Sequence, residues 1–149
     1  MKNLKMMALI PVIGLVMGIG SAANAEVGYI DYQKILESYP AAQQAVKDID
    51  AKGLELQQFM LEKEKQYKNL STPLQKQNFE TQAANTLKSK QEALMKLQRD
   101  KEAQILSQIQ TAAKSVMVAQ RLEAILSDQV VFVGGVDVTD QVISKLKGQ

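Results

Sequence analysis

The chain contains no cysteine, no histidine and no tryptophan, and its aromatic side chains amount to only 5% of its 149 residues. The absence of cysteine rules out disulfides and thiolate chemistry. The absence of histidine removes the commonest general base and, together with the missing thiols, leaves no plausible zinc ligand set. Scarce aromatics argue against a thick monomeric core, and without disulfides the chain has to stabilise itself by packing alone. Self-association is the expected source of the missing stability. Proline is nearly absent too, so each of its three occurrences punctuates the chain.

The remaining carboxylates are scattered along helix-forming sequence, which is the pattern of solvated helix faces. Gly134-Gly135 lacks the lysine and spacing of a phosphate-binding loop and reads as a strand turn. Asp137 and Asp140 flank Thr139, where helix capping explains them more simply than a metal. No catalytic residue, cofactor or metal is expected, and the chain is read as a non-enzyme.

The stretch that organises the sequence runs from Pro40 to Gln120. Val46, Ile49, Gly53, Leu56, Met60, Lys63, Tyr67 and Leu70 recur at alternating intervals of three and four, the seam spacing of a coiled coil. Leu87, Leu94, Gln98, Lys101, Ile105, Ile109, Ala112, Val116 and Ala119 keep roughly the same rhythm on the way back. Gly53 and Lys63 weaken the seam, so it is loosely knit. Between the two runs, Thr72 can cap the next turn, Pro73 suits a first helical position, and Gln75 can complete a capping box. The outgoing helix should therefore stop near Leu70 and restart at Pro73, giving an αα-hairpin with its tip near 70–74.

Residues 1–25 read as an export signal. Lys2 and Lys5 precede the apolar run Met6 to Gly20, and Ala23-Asn24-Ala25 is a small-x-small cleavage site, so the mature chain is expected to begin at Glu26 in the periplasm. Loss of Lys2 and Lys5 takes the balance from 18 basic against 16 acidic residues to 16 against 16. The charges are nevertheless uneven. Lys65, Lys68, Lys76, Lys88 and Lys90 face only Glu80 between residues 65 and 90, so the hairpin tip is basic. Such lysines either keep an exposed end solvated or attract acidic clients and anionic membrane surfaces in a salt-dependent way. Nucleic acid is not expected for a protein read as exported.

The two ends of the mature chain supply a small α/β body, residues 26–39 and 121–149. Val27-Gly28-Tyr29-Ile30 is a short strand signal, and Asp31 is a cap for a brief helix through Glu37. Leu122 to Ser127 and Val130 to Val133, around Asp128-Gln129, read as a β-hairpin, although the first run could also prolong the helix. Val136 to Val138 can extend a strand, and Thr139 is expected to cap a last helix. Val27, Tyr29, Ile30, Ile125, Val131 and Val133 are the candidate oligomerisation residues. The predicted fold class is α+β, mostly helical, with a long antiparallel αα-hairpin projecting from this body.

The segment Val27-Gly28-Tyr29-Ile30-Asp31-Tyr32-Gln33-Lys34-Ile35-Leu36-Glu37-Ser38-Tyr39-Pro40 resembles the opening of the Skp (OmpH) family of periplasmic chaperones. Gly135-Val136-Asp137-Val138-Thr139-Asp140-Gln141-Val142-Ile143-Ser144-Lys145-Leu146 is similar to the family's ending, and Ile109 to Val116 to the end of its return helix. One departure is that Gln120-Arg121 stand where the family commonly has a glycine, just before Leu122. The resemblance implies a homotrimer whose strands share one body, with three helical arms around a cavity that holds unfolded outer-membrane proteins without ATP. On the arms, Phe59, Met60 and Leu61 are consecutive and cannot all face one seam at about 100° per residue. Leu94 and Met95 raise the same question, and these five are the candidate client-facing residues. Methionine's flexible thioether suits varied clients. The competing reading is an exported coiled-coil spacer or envelope tether, which an aggregation-suppression assay would separate from a holdase.

Overall fold

A computed structural model of the chain describes residues 26–148; the export signal expected over residues 1–25 lies outside them. The elements are β1 (Val27–Ile30), α1 (Tyr32–Ser38), α2 (Pro40–Lys68), α3 (Pro73–Gln120), β2 (Ala124–Ser127), a 3-10 turn (Asp128–Val130), β3 (Val136–Asp137) and α4 (Thr139–Lys147). The fold is mostly helical with one small sheet.

Local chemistry accounts for most boundaries. The Asp31 carboxylate accepts from Lys34 N–H at 2.8 Å and starts α1. Tyr39 then breaks the helix in an extended conformation, and Pro40 opens α2 at a position that needs no N–H. At the reversal, Thr72 Oγ1 accepts from Gln75 N–H while Gln75 Oε1 accepts from Thr72 N–H, both at 3.3 Å. This reciprocal pair satisfies two of the donors that a helix start leaves orphaned. Only residues 69–72 separate α2 from α3.

The end of α3 shows what replaces the glycine. Arg121 lies in the left-handed region, φ 57° and ψ 35°, and no other non-glycine among the described residues has a positive φ. Its N–H donates to Val118 C=O at 3.3 Å, and Leu122 N–H donates to Met117 C=O at 2.9 Å. That pair of bonds is a Schellman termination, which ordinarily recruits glycine to the left-handed position. Leu122 is buried just beyond it, so the helix ends at Gln120 and a strand follows.

The sheet has the order β2-β1-β3, and both pairings are parallel, Val27 to Ile30 against Ala124 to Ser127 and Gly28-Tyr29 against Val136-Asp137. The N-terminal strand is therefore central, and its neighbours come from the other end of the chain. The expected hairpin between Leu122–Ser127 and Val130–Val133 does not form. Asp128-Gln129 lacks the glycine that accompanies aspartate in a tight hairpin turn. Instead Ser127 caps the 3-10 turn, and Val131 to Val133 lie in no strand. Val130 is 70% exposed, Val133 86%, and Phe132 fully so.

Gly28 and Gly135 hold the central strand close to its surroundings. A Cβ on Gly28 would sit 2.7 Å from Leu122 Cδ1. Gly135 has φ +86°, and a Cβ there would lie 3.1 Å from the Val27 carbonyl oxygen. Thr139 corrects another expectation, since its hydroxyl does not cap α4. It accepts from Asp31 N–H at 2.9 Å and donates to Asp137 Oδ1 at 2.6 Å, while Asp137 Oδ1 also receives Thr139 N–H at 2.9 Å. Asp137 is thus the capping side chain, and Thr139 is a buried pin between the two chain ends.

The core gathers Ile35 and Tyr39 from the first helix, Ala42 and Ala45 from the base of α2, and Ile105, Ile109, Ala112 and Val116 from α3. Ile30, Leu122, Val138, Val142, Ile143 and Leu146 complete it.

Two substitutions test this account by urea unfolding at fixed protomer concentration. Arg121→Gly relieves the left-handed backbone and is expected to raise stability by about 1 kcal/mol. Gly135→Ala, strained in backbone and crowded by Val27, is expected to lower it by about 1–3 kcal/mol.

Candidate binding surfaces on the helical pair and the body

Helices α2 and α3 lie against each other, and most of the predicted seam is in place: Ile49, Gly53, Leu56, Lys63, Tyr67 and Leu70 on α2, and Leu87, Leu94, Lys101, Ile105, Ile109, Ala112 and Val116 on α3, are half-buried or buried. Val46 and Met60 are exposed, at 57% and 52%, and the residues one place earlier, Ala45 and Phe59, face α3 instead. The reason is at the base. Ala45 and Ala42 are small enough to let α2 settle into the core beside Ile35 and Tyr39, and that contact turns Val46 outward. On α3, Gln98 and Ala119 are exposed, whereas Leu97 is half-buried.

A single ion pair crosses the seam. Lys101 Nζ donates to Asp48 Oδ2 at 2.7 Å, and Gln44 donates to the other oxygen of Asp48 at 2.8 Å. The bond from Lys101, with that from Gln44, holds the Asp48 carboxyl below the usual carboxylate range. In the body, the two bonds from Thr139 lower Asp137, with Lys34 contributing at longer range. Lys34 is raised by its contact with Asp140 at 2.8 Å.

The five arm residues expected to face a client separate into two groups. Phe59 and Leu94 are half-buried in the seam, and Met60, Leu61 and Met95 are exposed, at 52%, 58% and 49%. An apolar groove of about 790 Å³ between α1 and the base of α2 and α3 fixes the sidedness. Tyr32, Leu36, Ile49 and Ile105 line it, with Val46 and Glu102 at its edge. Met60 is two heptads beyond Val46, Met95 one heptad before Glu102, and Leu106 one turn after it. At 100° per residue all four apolar side chains fall on the flank that carries the groove. Val46, Met60, Met95 and Leu106, the last 43% exposed, thus form an apolar flank on one side of the pair. Leu54 and Leu61 are exposed as well, at 54% and 58%. Sequence reasoning missed Val46 and Leu106 by placing the first in the seam and not separating the second from its periodic neighbours.

The lysines near the reversal also divide. Lys65, Lys68 and Lys88 are exposed, and Lys68 pairs with Glu64 at 2.7 Å. Lys76 and Lys90 are half-buried and lie over aromatic rings, Lys76 over Tyr67 at 5.4 Å and Lys90 over Phe59 at 5.3 Å. In the body, Val27, Tyr29 and Ile30 lie on β1 and Ile125 on β2, while Val131 and Val133 lie in the exposed connection. Among the described residues no group of acidic side chains could hold a metal ion, and no helix is long and apolar enough to cross a membrane.

The sequence model for outer membrane proteins of the OmpH-like kind matches residues 26–146. The chain belongs to the OmpH-like family. No curated protein matches it. A solved structure of an OmpH-like protein from Caulobacter crescentus CB15, described as an outer membrane chaperone, is similar to it with 16% identity. That match covers 85% of this chain and 86% of the other at a TM-score of 0.41. The OmpH-like match takes in β1, the two long helices and α4 up to Leu146, so these elements fall within one family unit.

The cross-seam pair has a pH signature. A carboxyl lowered by folding contributes stability above its unfolded value, near pH 4, and loses it as pH falls through the folded value. Urea midpoints are therefore expected to drop below about pH 4, and Asp48→Asn is expected to lower the midpoint at pH 7 while making the acid-induced drop shallower.

Proposed function

We propose that this chain is a periplasmic holdase that binds unfolded outer-membrane proteins and keeps them from aggregating, without ATP and without catalysis. The observation that carries the proposal is the apolar flank of Val46, Met60, Met95 and Leu106. A two-helix seam has no structural use for large apolar groups on its side, and leaving them in water is unfavourable unless something covers them part of the time. Two of the four are methionine, whose unbranched thioether adapts to many partner shapes. Membership of the OmpH-like family supports the same reading.

In this proposal the helical pair is an arm, residues 40–120, and residues 26–39 and 121–149 form the body that joins copies. Two features support joining through the body. The three-stranded sheet leaves the outer backbone edges of β2 and β3 without partners among the described residues, which favours pairing with another chain. Beside them the fully exposed Phe132, with Val130 and Val133, is an apolar segment of the kind that an interface covers. Val27, Tyr29, Ile30 and Ile125 underlie that contact, Val131 and Val133 extend it, and a homotrimer would enclose a space between three arms. Met60, Leu61 and Met95 are client-facing in this scheme, and Phe59 and Leu94 hold the arm together. Lys65, and Lys68 and Lys88 once they leave their exposed pairs with Glu64 and Glu92, meet acidic clients or anionic membrane surfaces at the tip, more weakly as salt rises. Residues 1–25 act as the cleaved export signal.

The test is aggregation of a denatured outer-membrane β-barrel protein diluted into buffer. The mature chain at stoichiometric amounts is expected to suppress light scattering, and Met60→Ser with Met95→Ser is expected to lose most of that effect while circular dichroism and assembly mass stay unchanged. Full suppression by the double variant would remove the flank from the proposal. No suppression by the wild-type chain would favour a structural spacer.

A further inference from the structure

The interior of the helical pair changes character along its length. Ala42 and Ala45 on α2, and Ile105, Ile109, Ala112 and Val116 on α3, are all nearly inaccessible to water. Of the described residues from 46 to 104, none is fully buried. Everything beyond the Asp48–Lys101 pair is therefore wet, which at 1.5 Å per residue is roughly 30 Å of arm.

Rings and ammonium groups hold this outer part. Lys63 Nζ lies 5.5 Å from the centre of the Phe59 ring and 5.3 Å from that of Phe79. Lys90 approaches Phe59 from the other helix at 5.3 Å, and Lys76 approaches Tyr67 at 5.4 Å. Tyr67 and Phe79 meet across the seam with centroids 6.3 Å apart. Each contact is individually weak at a solvated site. Lys63 and Lys90 also share one ring, so their mutual repulsion offsets part of what the ring provides. Between the dry base and this ladder sits Gly53, where an added Cβ would meet nothing within 4 Å. The joint is therefore unfilled space in a helix whose glycine already lowers its stiffness.

We infer that the outer arm, from about Leu56 round the tip to Leu94, is a separate opening unit, closed by the lysine–aromatic ladder and able to part while the base and body stay folded. Parting frees Phe59, Tyr67, Phe79 and Leu94 from each other and adds their surfaces to the apolar flank. The inference concerns the arm alone and stands whether the protein is a holdase or a spacer.

Hydrogen exchange of the intact mature protein, read by mass spectrometry under native conditions, tests it. Amides of residues 56–94 are expected to exchange at least about tenfold faster than those of residues 105–116, as separate cooperative units do. Phe79→Leu keeps an apolar side chain but removes a ring shared by Lys63 and Tyr67. It is expected to accelerate residues 56–94 about fivefold and leave residues 105–116 unchanged. Lys63→Gln, which removes only the charge, is expected to act in the same place and direction. Equal exchange in the two stretches, an acceleration that reaches residues 105–116 in the same proportion, or no response to Lys63→Gln would each overturn the inference.

Discussion

The structure depends on the position of β1. A four-residue strand at the start of the described chain lies between two strands from its far end, and Thr139 binds Asp31 N–H across 108 residues. Glu123 N–H to Glu26 C=O and Val138 N–H to Tyr29 C=O, both at 3.0 Å, fasten the same junction at other points. With the ends pinned, the intervening chain has to leave the body and return to it, and two antiparallel helices joined by a short turn are the simplest path with every backbone group satisfied. The close approach at Gly28 and Gly135 follows from the same constraint, since a central strand in so small a sheet has other elements on every side.

From that junction outward, burial falls in steps. The body and the first turns of the arm are dry and aliphatic. The Asp48–Lys101 pair marks the end of that region, and beyond it the helices touch through half-exposed leucines, rings and lysine stems. Two helices alone enclose almost no volume, so the outer arm cannot acquire a core at any composition. What composition can choose is whether the surfaces left in water are charged or apolar. Here Glu, Gln and Lys cover most of them, and four large apolar groups on one flank are left out.

What could be read from the sequence was decided locally. Thr72-Pro73-Leu74-Gln75 contains all the partners of its capping box within four residues, and Asp31 caps a helix three residues away. Most of the seam could be placed, but Val46 and Met60 could not, because Ala45 and Phe59 follow the same spacing and the docking of Ala42 and Ala45 under α1 decides between them. Arg121 left the helix end open to two readings because its side chain gives no sign of a left-handed backbone; the buried Leu122 after it reveals the Schellman geometry. Thr139 was misjudged for a related reason: a threonine before an amphipathic run reads as a cap, and nothing nearby in sequence shows that its hydroxyl is engaged by Asp31. The parallel pairing of β1 is the least legible feature of all, since neither neighbour lies within ninety residues of it.

That pairing orders events during synthesis. A chain emerging from its N-terminus presents β1 before both long helices, and can offer β1 nothing to pair with until Ala124 appears. The helical pair can form early, from contacts between residues near one another, but its root has no floor. Completion of the body waits for the final two dozen residues, so until they appear the helical pair stands on an unfinished base.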